Sequence, residues 1–348
     1  MKVLVAMSGG VDSSVAAALL QREGHAVTGV TMRLWGGDSD TGCCSVSDVD
    51  DARRVADQLG IDHHVFNFGP DFERHVVDPY VADHRAGRTP NPCIECNRHI
   101  KFDRLTERAA LLGFDRVATG HHARVVVRHD GTMRLARGAD AAKDQSYVLH
   151  MLDQDTLAGV CFPVGDRTKA DVRILASELG LRNAAKPDSQ DVCFITSGGE
   201  GRAAFLARRT ALTPGRVVDG GGREIGHVDA VELVTVGQRG GLGMPGGHGP
   251  VYAVATDPVA ATVVVGSAAD LVVERQTVHA VAWAAAPMSG TVLVQTSAHG
   301  RPAAADLATG PDVGSIVVGW HEPQRRVAPG QSVVFYEGAE VVGGGIAG

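Results

Sequence analysis

The stretch VLVAMSGGVDSS near the start of the chain constrains its fold more than any other. An apolar run passes through Ser8 into two glycines, and Val11, Val15, Ala18 and Leu19 then follow at helical spacing, with Gly24 just past their end. A continuous apolar run suits a strand covered on both faces. A strand that turns within three residues into a helix is the first half of a parallel β–α–β unit.

The alternation continues. HAVTGVTMRLW reads as a second strand, and Ser47 is the expected N-cap of a helix with Val49, Ala52, Val55, Ala56 and Leu59 on one face and Gly60 as its stop. HHVFNF is a third strand, 71–86 and 101–112 are amphipathic helices, and DRVATG is a strand ending at Gly120. A hairpin turning at Asp130-Gly131 follows, then a helix over 169–179 capped by Thr168, with Asp171 in its first turn. Around residue 200 glycine becomes dense (DGGGREIG, GQRGGLGMPGGHG) and helical periodicity disappears; from about 270, short β-rich runs alternate with Gly/Pro turns. The expected fold is α/β: a doubly wound parallel sheet over 1–200, a small central β-rich domain over 201–268, and an antiparallel β-barrel over 269–348. A length of 348 residues suits such a division.

The net charge of −7 argues mildly against a nucleic-acid partner, although CNRHIKFDRLTER (96–108) concentrates Arg98, Lys101, Arg104 and Arg108. No apolar run approaches the ~20 residues of a membrane helix, and no basic segment precedes a hydrophobic one at the N-terminus. The expectation is a cytoplasmic protein with no membrane association. The six cysteines (43, 44, 93, 96, 161 and 193) are then expected as thiols rather than structural disulfides. Cys43, Cys44 and Cys161 read as small buried hydrophobes.

The loop after the first strand has a chemistry of its own. Gly9 and Gly10 let backbone N–H groups approach a ligand, the helix beginning near Val11 presents a positive end, and Ser8, Ser13 and Ser14 add hydroxyls. This is an anion cradle, and it lacks the lysine of a Walker loop. Asp12 would repel a phosphate unless Mg²⁺ lay between them, which makes it the expected metal contact. SGGVDSS resembles the PP-loop of ATP pyrophosphatases, which cleave ATP between the α and β phosphates and adenylate an acceptor. That resemblance implies ATP against Ala6, Met7, Ser8, Gly9, Gly10, Val11, Asp12 and Ser13, with the adenine held by backbone at Met32 and at Gly120.

TPNPCIECN (89–97) and DSQDVCFI (188–195) narrow the reaction. Pro90 and Pro92 fix two φ angles and bias their predecessors away from helix, so a stiff, extended loop is expected to present Cys93 and Cys96. By itself C-x-x-C reads equally as half a zinc site, a redox pair or a chance spacing. Together with the PP-loop, the ordered set TPNPCIECNRHIKF, ATGHHAR, KDQSYVL, DSQDVCFI, GQRGGLG, PGQSVVFY and the terminal GGGI closely resembles the tRNA-specific 2-thiouridylase family along almost the whole chain.

The resemblance implies adenylation of the C2 oxygen of the wobble uridine, then transfer of sulfur from a persulfide on Cys193, with Cys96 as the second thiol and a transient Cys96–Cys193 disulfide. It also implies a sulfur-donor partner and a base flipped out of its stack. Such thiols need lowered pKa values, toward which Arg98 and Lys101 are close in sequence. Contacts to tRNA are implied for Asn91, Pro92, Cys93, His121, Lys143, Asp144, Gln145 and Gln331, with GQRGGLG near the anticodon stem. Many relatives carry Asp where this chain has Cys93. Cys93, Cys96 and Cys193 then form a three-thiol set able to ligate an iron–sulfur cluster with one iron open to sulfide. Both the persulfide and the cluster route fit the residues, as does a purely structural Cys93. So do two rival classes: another PP-loop adenylating enzyme of amidotransferase or lysidine-synthetase type, and a non-catalytic RNA-binding or redox module.

Overall fold

The computed structural model describes residues 1–34, 46–188, 192, 194–195, 201–244 and 249–348. Strand β1 (Lys2–Ala6) leads through the glycine loop into α1 (Val11–Arg22), followed by β2 (Ala26–Arg33), α2 (Val46–Leu59), β3 (His63–Asn67), β4 (Arg116–Thr119), the hairpin β5 (Ala123–Val127) and β6 (Met133–Arg137), and β7 (Val160–Cys161). The first sheet has the order β3-β2-β1-β4-β7, and all its pairs are parallel. The strand order reverses at β1, so the crevice between the C-terminal ends of β1 and β4 is the topological switch point of a doubly wound sheet. Val3 and Val5 pack toward α1 and α2, whereas Leu4 and Ala6 pack into a second cluster on the opposite face. That is the two-sided burial the apolar run requires.

The small second sheet, β10-β11-β8-β9, uses β8 (Gly215–Val218), β9 (Glu224–Val228), β10 (Tyr252–Asp257) and β11 (Thr262–Gly266), around Val217, Val231, Ala253 and Val263. In the C-terminal part, β12 (Val272–Trp283), β13 (Gly290–Gln295), β14 (Ala303–Thr309), β15 (Ile316–Arg325), β16 (Ser332–Glu337) and β17 (Glu340–Ala347) pair antiparallel. The β12–β17 pairing closes them into a barrel, which removes the open edges. The expected α/β sheet, small central domain and antiparallel barrel are therefore all present.

Four local expectations are corrected. The extended loop at 89–97 is instead the start of a helix: Asn91 is its N-cap, Oδ1 accepting from Cys93 N–H at 3.1 Å, and Pro92 occupies the first helical position. Proline there lacks only an N–H that the helix would leave unpaired, so the same residue that argues for a loop also suits a helix start. Helical structure then runs through Pro92–Glu95, Cys96–Arg104 and Leu105–Leu111, starting nine residues upstream of its expected start at 101. α2 begins at Val46, so Ser47 lies inside its first turn rather than capping it. Helical structure also persists past residue 200, in Gly201–Ala207, which buries Phe205 and Leu206. Finally, the β5–β6 hairpin belongs to the first segment by sequence but extends the barrel sheet, β6 pairing with β17 at Ala136↔Glu340.

Candidate active site

The glycine loop is built by local chemistry. Gly9 adopts φ +71°, open to glycine at little cost, and a Cβ there would lie 2.5 Å from the Asp48 carbonyl oxygen. Ser13 and Ser14 turn their hydroxyls back to Gly10 O at 3.1 and 2.9 Å, and Asn183 Nδ2 donates to Gly9 O at 3.0 Å and to Ser14 Oγ at 2.8 Å. Gly120 follows β4 directly and faces the start of α1; a Cβ on it would sit 2.5 Å from Ser13 N and 2.7 Å from Asp12 C. On the other side of β1, pairing ends at Ala6↔Val30, so Met32 lies beyond the end of β1 on the crevice side of the sheet. Met32 and Gly120 thus flank the cradle from β2 and from β4.

Asp12 is the charged centre of this site. Its carboxylate accepts from Lys169 Nζ at 2.7 and 2.6 Å and lies 3.2 Å from His122 Nε2. Burial pushes the carboxyl up, but the hydrogen bonds from His122 and Lys169 and their charges outweigh it and hold Asp12 below the usual carboxylate range. Lys169 is 8% exposed and is the first residue of the helix Lys169–Glu178, which the expected capping box of Thr168 and Asp171 starts. The same ammonium meets Asp188 Oδ1 at 2.8 Å; Asp188 also accepts from Lys143 Nζ at 2.8 Å and Arg173 Nη2 at 2.9 Å. Burial opposes ionisation of Asp188, yet the two lysines bring its pKa down to about 2.

Sequence reasoning missed Lys169, Asp188 and Asn183. The helix start at Thr168 was visible, and a lysine beside it was the available signal. Nothing local says that its partner lies 157 residues away.

Among the thiols, Cys93 is exposed and Cys96 is 8% exposed within the main core cluster. Cys193, like Cys43 and Cys44, lies outside the described residues. Its neighbours are described: Phe194 packs edge-on against Phe72 and Tyr80, with ring centroids 5.5 Å apart in each case, and Val192 and Ile195 pack against the cluster that contains Cys96. Burial pushes the Cys161 thiol up to about 11, as befits a residue without a chemical role.

Gln331 meets Thr89, two residues before Asn91, at the junction of the three segments. Gln331 Nε2 donates to Thr89 O, Thr89 N–H donates to Pro329 O at 2.8 Å, and Thr89 Oγ1 bonds Thr235 Oγ1 of the central segment at 3.1 Å. A cleft of about 470 Å³ opens there, lined by Gln238, Arg325, Arg326 and Gln331 among others. His121 is buried between Phe102 and Phe162, its Nδ1 2.6 Å from Thr119 Oγ1, and burial with the nearby Lys101 and His122 charges pushes it well below the ordinary imidazole range. Lys143 ion-pairs with Asp188, Asp144 accepts from Arg137 and Ser146, and Gln145 holds the backbone of His122.

No group of three or more His, Cys, Asp or Glu that could hold a metal ion occurs among the described residues, and no helix among them is long and apolar enough to cross a membrane.

Three family models match the chain in order: a tRNA methyl transferase HUP domain at residues 1–197, a tRNA methyl transferase PRC-barrel domain at 203–267, and an aminomethyltransferase beta-barrel domain at 273–347. The chain is 49% identical over 350 residues to the tRNA-specific 2-thiouridylase MnmA of Chloroflexus aurantiacus, covering 99% of this chain and 97% of that one. The proteins of the same name from Roseiflexus sp. and Geobacter metallireducens are 45% identical over 372 residues and 42% identical over 356. Each match covers 99% of this chain, with 98% of the Roseiflexus and 96% of the Geobacter protein. With matches of that identity running from end to end, the chain belongs to the tRNA-specific 2-thiouridylase family.

Proposed function

We propose that the protein thiolates C2 of the wobble uridine of tRNA at the expense of ATP, forming 2-thiouridine with release of AMP and pyrophosphate. The observation that carries this reading is the 49% identity to a tRNA-specific 2-thiouridylase over 99% of the chain. The family models' descriptions mention methyl transfer, a different reaction. The glycine cradle at the switch point and the Cys96 helix supply what adenylation and sulfur transfer need.

Uracil O2 is a poor leaving group. The loop from Ala6 to Ser13 holds the triphosphate, with Met32 and Gly120 beside the adenine, so that O2 attacks the α-phosphorus and pyrophosphate departs. Buried Lys169 stabilises the charge that builds on the phosphate oxygens. Asp12 is the carboxylate that Mg²⁺ carried by ATP would meet, and in this structure Lys169 supplies the positive charge at its oxygens. Mg²⁺ there would draw charge from the phosphates.

The terminal sulfur of a Cys193 persulfide then attacks C2, expelling AMP with the old oxygen. The Cys96 thiolate attacks Cys193 Sγ, which frees the thiolated uridine and leaves a Cys96–Cys193 disulfide for a donor thiol to reduce. Cys93 and Cys96 are described thiols, and Cys193, the third of the set that could ligate an iron–sulfur cluster, lies outside the described residues. The tRNA would lie across the three segments, divided near 200 and 268, with Asn91, Pro92, His121 and the cleft at Gln331 on its path. We place the reaction in the cytoplasm, where such thiols stay reduced, with a persulfide-bearing protein as donor.

The test is thiolation of bulk tRNA with ATP and a persulfide donor. Wild-type protein should release one AMP per 2-thiouridine formed, and Cys96→Ser and Cys193→Ser should each abolish thiolation while ATP still binds. ATP- and tRNA-dependent AMP release with no sulfur incorporated would instead mark another adenylating enzyme. Wild-type thiolation rates in Cys193→Ser would overturn the sulfur route.

A further inference from the structure

We propose that the barrel has a task besides any contact with RNA: through Arg137 it holds the nucleotide loop in its working geometry. The inference rests on the ATP-dependent reading given above.

Arg137, at the end of β6, binds three ways. Its Nη2 donates to Gln295 Oε1 of β13 at 2.7 Å, its guanidinium lies 3.8 Å over the ring of Tyr336 of β16, and its Nη1 donates to Asp144 Oδ2 at 2.8 Å. The first two contacts belong to the barrel, the third to the KDQS turn of the nucleotide-binding segment. Tyr336 also reaches that turn directly, its hydroxyl 3.0 Å from Ser146 Oγ.

Asp144 is filled from all sides. Besides Arg137 it accepts from Gly138 N–H at 3.1 Å, Ser146 N–H at 3.0 Å and Ser146 Oγ at 2.9 Å. A buried carboxylate with its lone pairs taken up by protein donors fixes the turn around it and has little left to offer RNA. Gln145 then grips His122 at two points: its Oε1 accepts from His122 N–H at 2.8 Å, and its own N–H donates to His122 O at 2.9 Å. His122 in turn carries its Nε2 to 3.2 Å from Asp12 in the nucleotide loop.

A continuous polar chain thus runs from barrel strands β13 and β16 through Arg137, Asp144, Gln145 and His122 to Asp12. Every member described is buried or partly buried, and Tyr336 is fully enclosed, so Tyr336 cannot act by touching RNA. Arg137 and Gln145 are positioning residues: they act on ATP through His122 and Asp12.

The experiment uses the full-length chain with ATP and bulk tRNA, comparing wild type with Arg137→Lys, Gln145→Ala, Gln145→Glu and Tyr336→Phe. Arg137→Lys loses the planar fork that spans Gln295 and Asp144 while keeping the charge. Expected is a rise of about tenfold in the KM for ATP with Arg137→Lys and with Gln145→Ala, and a smaller rise with Tyr336→Phe, while the KM for tRNA stays within about twofold with Arg137→Lys and Tyr336→Phe. Gln145→Glu keeps an acceptor for His122 N–H but sets a second carboxylate next to Asp144, and its KM for ATP should lie between those of wild type and Gln145→Ala. Because the residues act in series, Arg137→Lys combined with Gln145→Ala should be no worse than the worse single variant. Changes confined to the KM for tRNA or to the melting temperature, or fully additive effects on ATP, would overturn the inference. Equilibrium dialysis of ATP without tRNA reads the same network independently of the reaction: unchanged affinity in all variants overturns the inference, whereas weakened affinity in a protein that thiolates nothing overturns only the thiolation reading.

Discussion

Lys169 Nζ lies 2.6 Å from Asp12 Oδ2, joining the first residue of one helix to the second residue of another across the mouth of the parallel sheet. The pair sits beside the loop proposed to hold the triphosphate, and Lys169 compensates the carboxylate there.

Replacing Lys169 with Met leaves Asp12 and Asp188 partly buried without their shared partner. Pyrophosphate release should fall at least ~100-fold, and the fold should lose about 3 kcal/mol, the scale for breaking a buried pair from one side. Lys169→Arg should recover part of both. Pyrophosphate release and urea unfolding measure the two effects separately.

Gly120→Ala should raise the KM for ATP by tenfold or more and cost about 1–3 kcal/mol of stability, because the new methyl would land 2.5 Å from Ser13 N. Ser13 N and Asp12 C, the two nearest atoms, are both backbone, so the start of α1 must shift. A KM for ATP equal to wild type would show that the cradle does not depend on this approach.

His150 predicts a pH dependence. Its ring is fully buried, with Nδ1 bonded to Tyr147 O at 3.0 Å; burial, opposed by that bond, pushes its pKa from 6.5 to about 4. Between those values the unfolded chain binds a proton that the fold rejects. The contribution of His150 is therefore complete above pH 6.5 and disappears as pH falls toward 4, at about 1.4 kcal/mol per pH unit. His150→Gln should flatten the fall in stability over that window by this amount, as read by urea unfolding at a series of pH values.

Cys161 should be the inert thiol. With a pKa near 11, its thiolate fraction at pH 7.5 is about 3 in 10,000. Mass spectrometry after brief iodoacetamide treatment of the native protein should find it unmodified, and Cys161→Ala should thiolate tRNA within about twofold of wild type.

Much of the molecule was legible in the order of its residues. The run VLVAM, the helical face beginning at Val11, the Asp130-Gly131 hairpin and the Thr168–Asp171 capping box are settled by neighbours one to four positions apart, and they formed as expected. The start of the cysteine helix was not so legible, because Asn91 and Pro92 serve equally in a loop and at a helix N-terminus; packing of Ile94, Cys96 and Ile100 into the core favours the helix.

Only the tertiary structure decided which charges meet. Lys169 finds Asp12 because the parallel crossovers bring two helix N-termini to the same end of the sheet. Arg137 finds Gln295 and Tyr336 because its hairpin leaves the first segment and extends the barrel sheet. Backbone periodicity and capping are short-range and written in adjacent residues, whereas an ion pair depends on distance in space, which the folded topology alone sets.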